Sequence, residues 1–402
     1  MAVKRADNYF ISAGEVSGDL LAADLVLALR ERLPKLQPFG VTGPAMRNSG
    51  VESVVGIEAF SVMGVADVIR KIPDLKLVET RLLAWVDQMQ PRFAVLVDNP
   101  GFHLRFAEQL RMRGVKVFQY VAPKIWAWGE GRAPRIREAY DLVLGILPFE
   151  EDFFRKRQVN YTYVGSPLKD RIDKVIVNRK ALGLPDGRPV VACLPGSRAG
   201  EVRRIMPILQ SIRNAVAREL KDPLFVVPMA PNLEIGELAQ ALGHPSGAAI
   251  PMRAAGGEMP VDSWSLDGFR VVRGMSLELM AAADVAIVAS GTATLECALL
   301  GTPMVVVYSM GEFSYQIARR AVRVNDVSLV NLMAGRRLVQ EYIQDVAPDV
   351  VATEIVTLIN DPERRRAMCE RFEDIRDRLK GAAAETAATA IAATLDGARP
   401  AG

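Results

Sequence analysis

The sequence predicts an α/β protein of two domains, each a parallel sheet with helices between its strands. Three observations lead there. Short unbroken apolar runs such as Ala94-Val95-Leu96-Val97 and Val285-Ala286-Ile287-Val288 recur in both halves, as strands buried on both faces require. Such runs end in turns of small or polar residues and alternate with apolar residues at helical spacing. A chain of 402 residues, half of them hydrophobic, is longer than one core usually organises.

The charge balance narrows the function. A net charge of +3 is too small to argue for nucleic acid, and clusters such as Arg203-Arg204 and Arg364-Arg365-Arg366 read as solvated helix faces, with phosphates or lipid head groups as the alternative. The 3 cysteines, Cys193, Cys297 and Cys369, lie far apart and read as buried thiols in a reducing compartment. With 2 histidines and no C-x-x-C pair, neither a zinc site nor a histidine-based metal site is expected, and no cofactor is expected. The N-terminus lacks an apolar signal core and no run reaches transmembrane length, so a cytoplasmic protein is expected, with peripheral membrane contact left open.

Tyr9 to Ala13 opens the chain as a strand, followed by the turn Gly14-Glu15-Val16-Ser17-Gly18-Asp19 and a helix from Leu20 to Arg32. This is not G-x-G-x-x-G, so a dinucleotide fingerprint is absent. Glu15, Ser17 and Asp19 offer polar contacts beside a helix start, although Ser17 or Asp19 also reads as a simple cap. Phe39 to Thr42 is a second strand, and Gly43-Pro44-Ala45-Met46 its loop. Downstream, Val65, Val68, Ile69 and Ile72 recur at helical spacing, with Leu75 beyond Pro73. A core-facing helix is the default reading; an apolar patch for acyl chains or a bilayer is the other.

The strand Ala94 to Val97 runs into Asp98-Asn99-Pro100-Gly101. Open α/β sheets place reactive groups at strand carboxyl ends, so Asp98 is the candidate general base, with a loop-stabilising carboxylate as its alternative. His103, just beyond, reads as a capping or packing residue. Val115 to Val121 is a strand leading to Trp126-Ala127-Trp128, which either lines a pocket or plugs an edge. Leu142 to Leu147 and Tyr161 to Val164 repeat the pattern, and Lys169 to Lys180 reads as the crossover between domains.

Pro189 to Leu194 begins the second domain, and its turn Pro195-Gly196-Ser197-Arg198 precedes a helix. Backbone N–H groups at such a turn suit a diphosphate, and Arg198 adds positive charge. Leu224 to Val227 and Phe269 to Val272 follow as strands. Val285 to Val288 then leads through Ser290-Gly291-Thr292 into a helix that bears Glu296, a second anion site or an ordinary cap. Pro303 to Tyr308 is another buried strand, Asn331 to Gln344 is rich in amides and acids, and Pro362 to Leu395 reads as largely helical. Its Ala-rich tail is expected to dock back on the first domain, and two halves with turns facing a cleft suggest paired Rossmann-like domains.

Taken in order, these turns resemble those of the lipid-A-disaccharide synthase family. The resemblance rests on Ala13-Gly14-Glu15-Val16-Ser17-Gly18-Asp19, Gly43-Pro44 with Met46, Val62-Met63-Gly64, Tyr120-Val121 with Pro123 and Trp126-Ala127-Trp128, and Leu147-Pro148-Phe149-Glu150. It continues through Leu194-Pro195-Gly196-Ser197-Arg198 with Glu201, Ser290 to Glu296, and Asn331 with Gly335, Glu341 and Gln344. It implies a GT-B fold, with Rossmann-like domains over 1–168 and 169–345 and with 346–402 packing back towards the first. The implied reaction joins UDP-diacylglucosamine to diacylglucosamine 1-phosphate through a β-1,6 linkage and releases UDP, with inversion and without a required metal.

By that resemblance Asp98 would deprotonate the acceptor hydroxyl, while Glu15 and Ser17 would face the acceptor or the reacting sugar. Gly196, Ser197, Arg198, Ser290, Gly291 and Thr292 would hold the UDP group, Glu296 the donor, and Asn331 with Gln344 would close the nucleotide pocket. Val62, Met63, Val65, Val68, Ile69, Ile72 and Leu75 would serve acyl chains or the cytoplasmic face of the inner membrane. A homodimer stays open. Gly101, His103, Ala122, Lys124, Ser166 and Val330 depart from common family residues and bear on acceptor choice or activity. The competing classes are another nucleotide-sugar enzyme, such as a UDP-N-acetylglucosamine 2-epimerase or a soluble-acceptor glycosyltransferase, and a non-catalytic lipid- or nucleotide-sugar-binding protein. A nicotinamide-dependent oxidoreductase is disfavoured by the missing fingerprint.

Overall fold

A computed structural model describes residues 7–60, 65–252, 262–311 and 326–397, with the backbone alone for 65–73. The chain divides into two compact units, 1–170 with 379–402, and 171–378. The first unit is therefore built from both ends of the described chain.

Its sheet contains β1 (Asn8–Ala13), β2 (Gln37–Thr42), β3 (Glu52–Gly56), β4 (Phe93–Val97), β5 (Lys116–Tyr120), β6 (Leu142–Gly145) and β7 (Tyr161–Tyr163), in the order β3-β2-β1-β4-β5-β6-β7. Every pairing in it is parallel. β1 and β4 are buried along their whole length, and in β4 this shows as an unbroken apolar run, whereas β1 also buries Asn8 and Ser12. The chain winds outwards from β1 in one direction and from β4 in the other. The β1/β4 boundary is thus the topological switch point, with Ser12 opposite Leu96 in register.

The second sheet has eight strands: β8 (Val190–Leu194), β9 (Leu224–Met229), β10 (Ile250–Pro251), β11 (Ser263–Leu266), β12 (Phe269–Arg273), β13 (Val285–Ala289), β14 (Met304–Tyr308) and β15 (Glu341–Ile343). Their order is β10-β11-β12-β9-β8-β13-β14-β15, parallel except for the edge pairs β10/β11 and β11/β12. Here the switch point lies between β8 and β13, the two strands whose turns read as anion sites.

Residues 346–378 do not return to the first unit. Pro348–Asn360 turns Val351, Ala352, Ile355 and Leu358 inwards and packs on the helix Ala199–Glu219, and Pro362–Arg378 packs on Thr292–Leu299. The helix Ala383–Leu395 alone joins the first unit, where Ala387, Ala388 and Ile391 enter its core against Val16–Arg32. Asp170 fastens this return by accepting from the Ala382 and Ala383 N–H groups at 2.7 and 3.2 Å.

One further expectation changes. The first helix starts at Val16 rather than Leu20, so only Gly14 and Glu15 remain in the turn and Ser17 and Asp19 belong to the helix. The helix after β3 runs from Val65 to Met89 through Pro73, which does not end it. Its Leu75 is part-buried against the first core, whereas Leu77 is 70% exposed. Val62 and Met63 lie outside the described residues, as do the side chains of Val65, Val68, Ile69 and Ile72.

Candidate active site

Asp98 stands directly beyond β4 at the first switch point. Its φ of 54° and the 45° of Asn99 are both left-handed, and Val121 after the neighbouring β5 has φ 69°. Non-glycine residues adopt that region at a cost and persist there when the surroundings hold them. The Asp98 N–H donates to the Tyr120 carbonyl at 2.9 Å. Its own carbonyl accepts from His103 Nδ1 at 2.7 Å and Gln119 Nε2 at 3.1 Å. The Asp98 residue is part-exposed, as a group meeting a substrate must be.

Glu15 and Ser17 are exposed at the end of β1, the neighbouring strand, with Glu15 as the N-cap residue of Val16–Arg32. Gly14 connects the two turns: a Cβ there would lie 2.3 Å from Asn99 Nδ2, so only glycine admits the Asn99 side chain. Asp19 is buried and turned away from this edge. Its carboxylate accepts from the N–H groups of Gly43, Ala45 and Met46 at 2.8, 2.8 and 3.1 Å, capping the helix Pro44–Asn48. Asp19 is thus a cap, but of a helix other than its own.

In the second unit the β8 turn is filled from within. Glu201 Oε2 accepts from the N–H groups of Ser197 and Arg198 at 3.2 and 3.4 Å, and its Oε1 pairs with Arg198 Nη1 at 3.5 Å. Those N–H groups, expected to cradle a diphosphate, already hold a carboxylate. Gly196 permits this with φ 105°, and a Cβ there would lie 2.5 Å from Glu201 Oε2. Arg198 keeps an exposed side chain beside the turn.

Beyond β13, Ser290 Oγ donates to the Val327 carbonyl at 3.2 Å, Gly291 and Thr292 are exposed, and Thr292 begins the helix Thr292–Leu299. Thr294 Oγ1 donates to the Gly291 carbonyl at 2.8 Å, which fixes the entry to that helix. Glu296 lies one turn in, and burial pushes its carboxyl above the usual range, opposed by the Arg171 charge.

Asn331 and Gln344 prove to be internal braces. The buried Asn331 amide accepts from the Leu338 and Val339 N–H groups and donates to the Val339 carbonyl and to Glu341 Oε1. Gln344 pairs with both backbone groups of Met310, at 3.2 and 3.0 Å. They shape the loops after β14 from inside.

One group escaped sequence reasoning. Glu150, after β6, is 1% exposed; it accepts from Trp126 Nε1 at 2.9 Å and lies 3.2 Å from the Tyr161 hydroxyl. Burial raises its carboxyl to about 7 against these stabilising bonds. Trp126 is therefore anchored by Glu150, while Trp128 is exposed with the Arg132 guanidinium 4.5 Å over its ring. The Pro-Phe-Glu turn carried the signal, but an acid at a helix start reads as solvated. Among the described residues no group of three His, Cys, Asp or Glu is placed to hold a metal.

The family model for lipid-A-disaccharide synthetase matches residues 9–241 and 268–393, both switch points included. The chain belongs to this family. A lipid-A-disaccharide synthase of Anaeromyxobacter dehalogenans is 38% identical over 93% of this chain and 93% of that protein, and one of Alkalilimnicola ehrlichii 38% identical over 96% and 98%. As a member of the lipid-A-disaccharide synthase family it is a glycosyltransferase, and the family implies nucleotide-sugar and sugar-phosphate substrates. Solved structures agree on the fold. A UDP-N-acetylglucosamine 2-epimerase from Neisseria meningitidis bound to UDP-N-acetylglucosamine superposes with a TM-score of 0.63 at 11% identity, covering 97% of this chain and 100% of that one. A calicheamicin glycosyltransferase gives 0.58 at 16%, covering 98% and 99%. The fold is GT-B. No helix among the described residues is long and apolar enough to cross a membrane.

Proposed function

We propose that the chain transfers a diacylglucosaminyl group from its UDP donor to the 6-hydroxyl of diacylglucosamine 1-phosphate. Asp98 takes the hydroxyl proton as the oxygen attacks the anomeric carbon. The bond from that carbon to the UDP oxygen breaks, its electron pair leaves with UDP, and the anomeric centre inverts. The single observation that supports the reading is Asp98 itself, a part-exposed carboxylate held at the switch point by a braced left-handed turn.

Arg198 and the positive end of Thr292–Leu299 neutralise the charge that gathers on the leaving diphosphate. Because Glu201 occupies the β8 turn, the Arg198 side chain rather than the adjoining N–H groups meets the nucleotide. Ser290, Gly291, Thr292 and Glu296 hold the donor sugar and its phosphates. Asn331 and Gln344 contribute by keeping the surrounding loops in place. Glu15 and Ser17 orient the acceptor, and the helix Val65–Met89, with the segment before it, receives acyl chains at the surface of the inner membrane.

The test is turnover of the acylated pair with mass detection of the disaccharide, in the parent and in Asp98→Asn. Loss of a general base lowers the rate about 10²–10⁴-fold, while UDP affinity stays within about threefold because the nucleotide groups are elsewhere in the chain. Equal turnover by Asp98→Asn removes the base; reaction with water-soluble sugars alone removes the substrate class.

A further inference from the structure

We infer that His103 is a positioning residue for the base: its ring joins Ser12 to the Asp98 carbonyl and so fixes how the Asp98 carboxylate leaves the end of β4. The inference rests on the proposed role of Asp98 and concerns what aims it.

The hydrogen-bond directions follow from chemistry. A carbonyl oxygen only accepts, so the 2.7 Å contact from Nδ1 to the Asp98 carbonyl requires the proton on Nδ1. In the neutral ring Nε2 then carries the lone pair and accepts from the Ser12 hydroxyl at 3.0 Å. His103 is fully buried, and burial lowers its imidazole to about 4, so it stays neutral at ordinary pH. Both ring nitrogens are therefore committed. The ring cannot turn without breaking both hydrogen bonds.

Its location turns this into a functional statement. Ser12 belongs to β1 and Asp98 follows β4, the strands either side of the switch point. His103 lies in the first turn of Pro100–Met112, and its own N–H donates to the Asn99 carbonyl at 3.0 Å. The helix, the two central strands and the base thus meet at one imidazole. Asp98 and Asn99 are both left-handed; Asp and Asn enter that region more readily than other non-glycine residues, but two in succession still depend on the hydrogen bonds that hold the turn. Gln119 supplies the second donor to the same carbonyl, at 3.1 Å. The Asp98 side chain projects from the backbone that these two donors fix, and small misplacements of a reacting group are costly in rate.

The distinguishing experiment separates the two nitrogens. In His103→Asn the amide N–H falls near the former Nδ1 and still reaches the Asp98 carbonyl. In His103→Gln it falls near the former Nε2 and leaves that carbonyl with Gln119 alone. With UDP-sugar and acylated acceptor, kcat of His103→Gln is expected to fall about 10–100-fold with KM and UDP affinity within about twofold. His103→Asn is expected to recover most of that loss. Equal falls in the two variants, or a folded His103→Gln with the parent's kcat, overturn the inference. Nitrogen-15 spectra of the parent's histidines supply a readout independent of folding and turnover: a proton on Nδ1 of a buried neutral ring is expected, and a proton on Nε2 refutes it. Absence of turnover in the parent strikes the proposed function instead, leaving the tautomer to decide the placement.

Discussion

At the scale of single residues, Glu150 has the most direct consequence for stability. Glu150 accepts from Trp126 Nε1 with one oxygen and from the Tyr161 hydroxyl with the other, and that hydroxyl also lies 3.1 Å from the Leu147 carbonyl. Burial penalises the ionised carboxylate more than these bonds favour it. The usual value of 4.5 rises to about 7 in the folded protein, so below the lower value both folded and unfolded chains hold the proton and the shift has no effect. Between the two values only the folded chain holds it, and stability falls as pH rises; above the higher value the deficit is constant. Glu150→Gln mimics the protonated form. Relative to the parent it should gain about 3 kcal/mol across this window, measured by urea denaturation at several pH values. A constant difference would mean that Glu150 ionises freely.

The residue scale also shows what was legible in the sequence. The place of Asp98 at the carboxyl end of a central strand was legible because the acid directly follows an unbroken apolar run. Glu150 and Asn331 were not, because their roles depend on partners far off in the chain or on burial that polar residue types do not advertise. Trp126 from a turn and Tyr161 from β7 flank Glu150, and Asn331 takes up four hydrogen bonds inside its own segment. The Ser12–His103 contact spans 91 positions, and nothing local announces it.

At the scale of elements, central strands were readable and edges were not. β4 and β13 are buried on both faces and show it as continuous hydrophobicity. β11, Ser263–Leu266, is only partly buried and pairs antiparallel near the margin, so it lacks that signal. The long helix Val65–Met89 continues through Pro73, although a proline ordinarily interrupts a helix. Leu77, exposed on this helix, offers a test of the bilayer surface. Leu77→Glu should leave thermal stability within about 0.5 kcal/mol and weaken flotation with anionic lipid vesicles; unchanged flotation would place membrane contact elsewhere. The β8 turn gives a second test. Gly196→Ala puts a methyl group against Glu201 in a left-handed backbone, costing about 1–3 kcal/mol, and UDP titration should show weaker binding. Unaltered affinity would detach this turn from the nucleotide.

At the scale of the whole molecule, the sequence displayed two α/β halves through their repeated strands, yet placed the last boundary too early. Pro348–Asn360 and Pro362–Arg378 have amphipathic patterns that fit either unit, and only packing shows that they cover the second. Ala383–Leu395 differs because its small residues admit close approach to Val16–Arg32, where Ala387, Ala388 and Ile391 are fully buried. Ending the chain after Arg378 should strip this cover. Calorimetry is expected to show the first unit's transition lowered by on the order of 10 °C, with UDP binding by the second unit retained. A single unshifted transition would make the return helix dispensable.

The split make-up of the first unit has a bearing on how the protein is made. A ribosome delivers β1 through β7 early, but the helix that seals their core emerges only after all 208 residues of 171–378 have been translated. Domains generally fold in the order they are synthesised; here the half begun first is completed after its neighbour's chain is out. Until then Ala22, Leu25 and Leu29 of the opening helix belong to an unfinished core, a surface for chaperones to cover during translation.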